Sequence, residues 1–248
     1  MAVSMRLLVS VADAAEANAA CEGGADLIDA KDPFNGALGL VPLETLRQIH
    51  AAVGGSRPVT AALGDAADEG AIERAAFEFA AAGAVFVKVG FASIATTEIA
   101  ARLIAAAVRG ARDGSEGACG VVAVGYGDAH SASSVDPTAI ADAAAGAGAM
   151  GVLLDTADKT GPGLPQIMSA RAVTAWVTRA HDAGLLVALA GKLTTNDLPW
   201  ARDCGADIAG VRGAACDSGR TGRVTPARVR LLREMMALEP ASDVGRLQ

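Results

Sequence analysis

One short phrase returns four times along this 248-residue chain, and it dictates which way the strands must face. Gly24-Ala25-Asp26-Leu27-Ile28, Gly83-Ala84-Val85-Phe86-Val87, Gly148-Ala149-Met150-Gly151-Val152 and Gly205-Ala206-Asp207-Ile208-Ala209 each close a helix and open an apolar run. They recur at intervals of about sixty residues, the self-similarity of repeated units. Four and six residues past the glycine stand Ile28 and Ala30, Val87 and Val89, Val152 and Leu154, and Ala209 and Val211. Five and seven past it stand Asp29 and Lys31, Lys88 and Gly90, Leu153 and Asp155, and Gly210 and Arg212. Strand side chains alternate between faces, so one face of these strands is wholly apolar while the other carries two lysines, two aspartates and an arginine.

Apolar runs suited to buried parallel strands lie at 7–11, 27–31, 59–63, 85–91, 121–125, 151–155, 185–190 and 208–212. Helical stretches alternate with them at 12–21, 43–53, 69–82, 97–109, 137–147, 170–183, 196–204 and 226–238. Thr96, Asp136-Pro137, Thr225-Pro226 and Gly184 supply start and stop signals. Eight strand–helix units predict an α/β fold, a single-domain (β/α)₈ TIM barrel over 1–240 with a fraying tail at 241–248. A doubly wound open sheet is the alternative, but it does not require alternate strands to share an inward pattern.

No Pro-, Ser- or charge-rich linker interrupts the chain, and its hydrophobic content is mostly Ala, Val and Leu, as suits Ala-rich helices on buried strands. A net charge of -7 argues against a nucleic-acid surface. No apolar run reaches spanning length and the first residues lack a signal-peptide core, so no membrane association and a cytoplasmic location are expected. Cys21, Cys119, Cys204 and Cys216 form no CxxC pair and read as reduced packing residues. His50, His130 and His181 are scattered, so neither a metal nor a cofactor is expected. Exposed Ala-rich helices are compatible with a homo-oligomer.

In a barrel the charged face looks into the lumen near the strands' C-terminal ends, where barrel enzymes keep their sites. Ideal register puts Lys31, Asp155 and Arg212 in the upper layer, with Asp29 and Lys88 one layer below. Neighbouring ammonium groups repel and burial disfavours charge, so one lysine of the set becomes a neutral amine near pH 7, able to attack a carbonyl. Asp29 and Asp155 are expected to shuttle protons in imine formation and enolisation. After strands 7 and 8, Gly191-Lys192 and Arg212-Gly213-Ala214 fit a phosphate site built from backbone amides, with Lys192 and Arg212 supplying charge and Arg220 and Arg223 as weaker candidates or plain exposed residues. A phosphosugar is the implied substrate. Lys159, four residues after Asp155, is a gate, a proton donor or a solvated loop lysine. The Asp32–Gly39 glycines fit a second amide-lined phosphate contact.

The segments Gly23–Pro33, Val87–Gly90, Leu154–Lys159, Leu189–Gly191 and Gly210–Cys216 together resemble the (5-formylfuran-3-yl)methyl phosphate synthase family of methanofuran biosynthesis, over nearly the whole chain. The resemblance implies a TIM-barrel lyase of one-carbon metabolism that joins two molecules of glyceraldehyde 3-phosphate, losing phosphate and water. It also implies that Lys31 is the Schiff-base lysine, that Asp29, Lys88 and Asp155 are its acid/base and positioning partners, and that Lys159 is an active-site loop lysine. Asp32 stands where the family often has Asn, and Thr160-Gly161-Pro162-Gly163 replaces a more polar stretch. A Schiff-base aldolase of small phosphosugars and a non-catalytic phosphosugar-binding barrel are the rival readings.

Overall fold

Eight parallel strands close on themselves in chain order, each followed by a helical layer, in a computed structural model that describes residues 5–237. The strands are β1 (Arg6–Val11), β2 (Leu27–Ala30), β3 (Val59–Asp65), β4 (Phe86–Gly90), β5 (Gly120–Tyr126), β6 (Gly151–Asp155), β7 (Leu186–Leu189) and β8 (Ile208–Val211). The expected (β/α)₈ barrel is therefore the observed fold. The expected tail at 241–248 and the last residue of the expected final helix, Leu238, lie outside the described residues.

The two strand faces divide as the repeat requires. Ile28, Ala30, Val87, Val89, Val152, Leu154, Ala209 and Val211 join the large core between barrel and helices. Leu8, Leu27, Ala62, Val122, Val124, Leu153, Ala188 and Ile208 fill the lumen as a second, separate core. Register pairs Ser10 with Asp29, Asp29 with Thr60, Ala62 with Lys88 and Tyr126 with Asp155, which fixes the polar residues relative to one another.

The helices are α1 (Ala14–Glu22), α2 (Leu43–Val53), α3 (Glu69–Ala81), α4 (Thr97–Ser115), α5 (Pro137–Gly146), α6 (Leu164–Ile167), α7 (Ala170–Asp182), α8 (Leu198–Asp203) and α9 (Pro226–Ala237). Thr96 and Asp136 accept from the amides of Ile99 and Thr138 at 3.3 and 2.8 Å, and α5 starts on Pro137, as the cap signals indicated. α4 runs six residues beyond its expected end at Arg109, through Gly110 and Gly114. A Cβ at those positions would lie 2.0 Å from the Glu73 carbonyl oxygen and 2.3 Å from that of Phe77. These glycines let α3 and α4 approach backbone to backbone and do not break the helix. The short α6, which follows β6, has no counterpart in the sequence pattern.

After β2 the chain makes a tight excursion that closes with an antiparallel bridge between Asp32 and Gly39. It tucks Ala37 and Leu38 onto the lumen core, so the loop plugs the mouth on that side. No helix among the described residues is long and apolar enough to cross a membrane.

Gly39 is tightly constrained: an added Cβ would stand 2.2 Å from the Asp32 carbonyl oxygen, whereas Gly36, at φ 70°, has open space around it. Gly39→Ala should therefore destabilise the fold by about 2 kcal/mol or more, and Gly36→Ala by about 1 kcal/mol through its left-handed backbone alone. Urea midpoints of the two variants check this, and a Gly39→Ala midpoint equal to the parent's would contradict the close approach.

Candidate active site

The lumen opens upward into a cavity of about 450 Å³. Lys31, Lys88, Asp155 and Lys159 line it together with Gly191, Lys192, Gly213, Ala214 and Arg220. Its size suits a small, mostly enclosed ligand.

Its floor is an ion pair. The fully buried Asp29 takes the Lys88 ammonium at 2.5 Å and the hydroxyls of Ser10 and Thr60 at 2.8 and 2.7 Å. Burial opposes its ionisation, but the charges of Lys88 and Lys31 outweigh that and hold the carboxyl below the ordinary carboxylate range. With both oxygens occupied, Asp29 stands behind Lys88 and is not among the residues that line the cavity.

A second pair stands on β6. Asp155 accepts from the Thr156 amide at 2.7 Å and from the Lys159 ammonium at 2.6 Å. Lys159 is folded inward, with further bonds to the Thr156 carbonyl and hydroxyl at 2.5 and 3.4 Å, so it is not a solvated loop lysine. Burial again opposes ionisation of Asp155, and Lys159 and Lys31 again overcome it.

Lys31 is the remaining lumen lysine. It stands one residue past β2, where its amide still donates to the Val11 carbonyl at 2.9 Å, so its side chain keeps the inward direction. Its ammonium makes no hydrogen bond or ion pair among the described residues, because each neighbouring carboxylate is held by another lysine. Burial, reinforced by the charges of Lys159 and Lys88 against those of Asp155 and Asp29, pulls its pKa down to about 7.

Arg212 departs from its expected role. All five of its N–H donors are used within the protein: on the Arg220 carbonyl at 2.8 Å, the Ser10 carbonyl at 3.0 Å, both oxygens of buried Glu16 at 2.7 and 3.3 Å, and the Gly222 carbonyl at 3.2 Å. No donor is left for a phosphate. Arg212 instead ties β8, β1, α1 and the loop after β8 into one knot. The Asp32–Gly39 loop likewise works as the Leu38 plug described above.

The other loop residues meet at the rim. Gly191 and Lys192 both have left-handed backbones, at φ 88° and 60°. At Gly191 a Cβ would come within 2.8 Å of Leu164, while a lysine in this conformation stores strain of about 1 kcal/mol or more, a pattern that gathers at functional positions. The Lys192 ammonium bonds the Gly161 carbonyl, which joins the loops after β6 and β7. Gly213–Ala215 form one 3₁₀ turn whose first internal bond starts at the Ala215 amide, leaving those of Gly213 and Ala214 at its open end.

Glu16, Ser10 and Thr60 were not among the residues singled out from the sequence. Ser10 and Thr60 are polar residues at lumen-facing positions of apolar strands, which is a readable signal. Glu16 resembles any first-turn helix acid, and nothing in the sequence marks it as buried. Tyr126 lies fully buried on β5 with its hydroxyl on Asp65 at 2.6 Å; burial and that carboxylate push its pKa up.

The 4-HFC-P synthase family profile matches residues 7–233. The chain is 41% identical to "(5-formylfuran-3-yl)methyl phosphate synthase" of Methanopyrus kandleri, over 94% of this chain and 99% of that one. It is 36% identical to the protein of the same name from Methanosarcina barkeri, over 94% and 98%. Among solved structures, a 3-hexulose-6-phosphate synthase superposes with a TM-score of 0.64 over 94% of this chain and all of that one. At 22% identity it supports the fold alone.

The pKa of Lys31 has a consequence for stability. Below pH 7 the folded chain must bury an ammonium that the unfolded chain keeps in water, so the penalty is full there. It relaxes as pH rises from about 7 toward the ordinary 10.5, where only the unfolded state still binds the proton. Lys31→Met should therefore be more stable than the parent at pH 6, by several kcal/mol and at most about 5. The gain should shrink steadily toward pH 10, and urea unfolding at both pH values reads it. A gain that does not change with pH would contradict a depressed lysine.

Proposed function

The chain belongs to the 4-HFC-P synthase family, and we propose that it condenses two molecules of glyceraldehyde 3-phosphate into (5-formylfuran-3-yl)methyl phosphate through an imine on Lys31. Inorganic phosphate and water are the other products, and the pathway served is methanofuran biosynthesis. The observation that carries this reading is the unpaired amine of Lys31 beside two lysine–carboxylate pairs. An amine that titrates near pH 7 is largely neutral at physiological pH, so its lone pair is available to a carbonyl carbon.

One triose phosphate first isomerises to the ketone, and its carbonyl carbon takes the Lys31 nitrogen. The carbinolamine must lose its hydroxyl as water, and the Asp155–Lys159 pair lines the same cavity to exchange the protons this requires. Loss of a proton from the adjacent carbon gives an enamine, which attacks the aldehyde of the second triose. Elimination of one phosphate, hydrolysis of the imine, ring closure and dehydration then complete the furan. Lys88, oriented by Asp29, offers a hydrogen-bond donor to the oxygen that develops charge during carbon–carbon bond formation.

The phosphate kept in the product needs a holder that does not react. Gly191, Lys192, Gly213 and Ala214 support that role: amides at the open end of a short turn, glycine where a side chain would collide, and an ammonium at the rim. Arg212 serves this cradle only by shaping the loop behind it.

Borohydride reduction in the presence of glyceraldehyde 3-phosphate should trap a covalent adduct on Lys31, read by peptide mass. Lys31→Arg should lose at least about a thousandfold in furan formation, because a guanidinium supplies no neutral amine. An adduct on Lys88, or none, would overturn the assignment. A Schiff-base aldolase would give the same adduct without free phosphate or a new near-ultraviolet chromophore, and a binding barrel would tolerate Lys31→Arg.

A further inference from the structure

The proposed condensation brings two phosphates to one cavity, and the Gly191–Ala214 cradle serves one of them. We infer that Arg220 is the recognition residue for the second substrate phosphate, held on the β2 side of the mouth. This rests on the two-substrate reading above, and it goes beyond it by giving Arg220, only a weaker phosphate candidate in the sequence, a defined place at the mouth and a defined substrate group.

Arg220 lines the cavity from the loop after β8. Its guanidinium reaches across to the β2 loop, where it donates to the carbonyls of Pro33 and, at 2.5 Å, Gly36. Both acceptors are neutral. Among the described residues no carboxylate comes within ion-pair distance, 4.0 Å, of this half-buried cation. The contrast with Arg212 is informative: that neighbouring guanidinium also lines the cavity, but Glu16 neutralises it and its five donors are filled. Arg220 fills one donor on each carbonyl partner, which leaves others of its five free. Burial and the charge of Arg212 disfavour its ionised form by more than the charges of Asp155 and Asp32 favour it, so an arriving anion would relieve a net penalty.

The position of Arg220 is built in. Arg212 holds its carbonyl at 2.8 Å, and the Arg212–Glu16 pair anchors Arg212 in turn. A fork of N–H donors fixed in this way at a rim suits a phosphate dianion, which it can bind through two oxygens. The opposing view makes Arg220 only a latch between the loops after β8 and β2.

Calorimetric titration with inorganic phosphate separates the two. The parent chain should show two binding events. Arg220→Gln should keep one and weaken the other at least about tenfold, the ordinary effect of removing a charged donor. Arg220→Lys, which restores the charge but neither the planar fork nor the two-carbonyl latch, should recover part of the lost affinity. With glyceraldehyde 3-phosphate, Arg220→Gln should raise KM about tenfold with a smaller change in kcat. Identical isotherms for the parent and Arg220→Gln, or an Arg220→Lys protein no better than Arg220→Gln, would overturn the inference. The titration involves no turnover, so a parent that makes no furan yet shows Arg220-dependent phosphate binding would sink the condensation and leave Arg220 standing as a phosphate-binding residue.

Discussion

Three lysines and two carboxylates share the polar end of one barrel lumen, and that imbalance governs the site. An isolated charge in such a space is costly, so each carboxylate holds a lysine within 2.6 Å: Asp29 with Lys88, Asp155 with Lys159. The third lysine has no carboxylate of its own, and the least costly state for it is the neutral one. The chemistry of Lys31 thus follows from what its neighbours are bound to as much as from its own burial. Ser10 and Thr60 matter for the same reason, since they fill the Asp29 oxygens that would otherwise draw Lys31 into a second ion pair.

Closure of the barrel turns this local balance into a site. The alternation that sends Ile28, Ala30, Val152 and Leu154 into the helical layer is the one that sends Asp29, Lys31 and Asp155 inward. A slip of one residue in β2 or β6 would exchange those faces, burying charge among helices and breaking both layers at once. Because a core on each side of the wall resists the slip, the register is over-determined. The Leu38 plug adds to this by covering part of the mouth, which limits the water that reaches the lumen lysines.

Most of the architecture was legible in the sequence because it is carried by periodicity. Parity within strands and the return of the glycine phrase are properties of the chain read in order, and they identified the strands and the inward set. What escaped depends on contacts between distant segments. Gly110 and Gly114 look like helix breakers until α3 is laid against them. Arg212 has the right parity for a substrate contact, yet its guanidinium is taken by Glu16, 196 residues earlier in the chain. Asp29 has the right chemistry for a proton shuttle, but three filled bonds put it behind Lys88. Patterns along a strand reveal which face a side chain is on; only its partners reveal whether it is free to act.

The Arg212–Glu16 pair shows why such a partner is kept. A buried ion pair is weak ground for stability, since apolar residues of similar volume often serve as well. Its value here is geometric. Two of the five Arg212 donors go to Glu16, and the rest go to carbonyls on β1 and on the loop after β8. A lysine has three donors and no planar fork, so it cannot hold three carbonyls on two backbone segments and a carboxylate in one arrangement. An aliphatic residue could fill the volume but would leave those carbonyls without donors and the loop without a fixed path. The pair therefore stabilises one conformation of the 216–224 loop over its alternatives, and the path it selects is the one that carries Arg220 over the cavity.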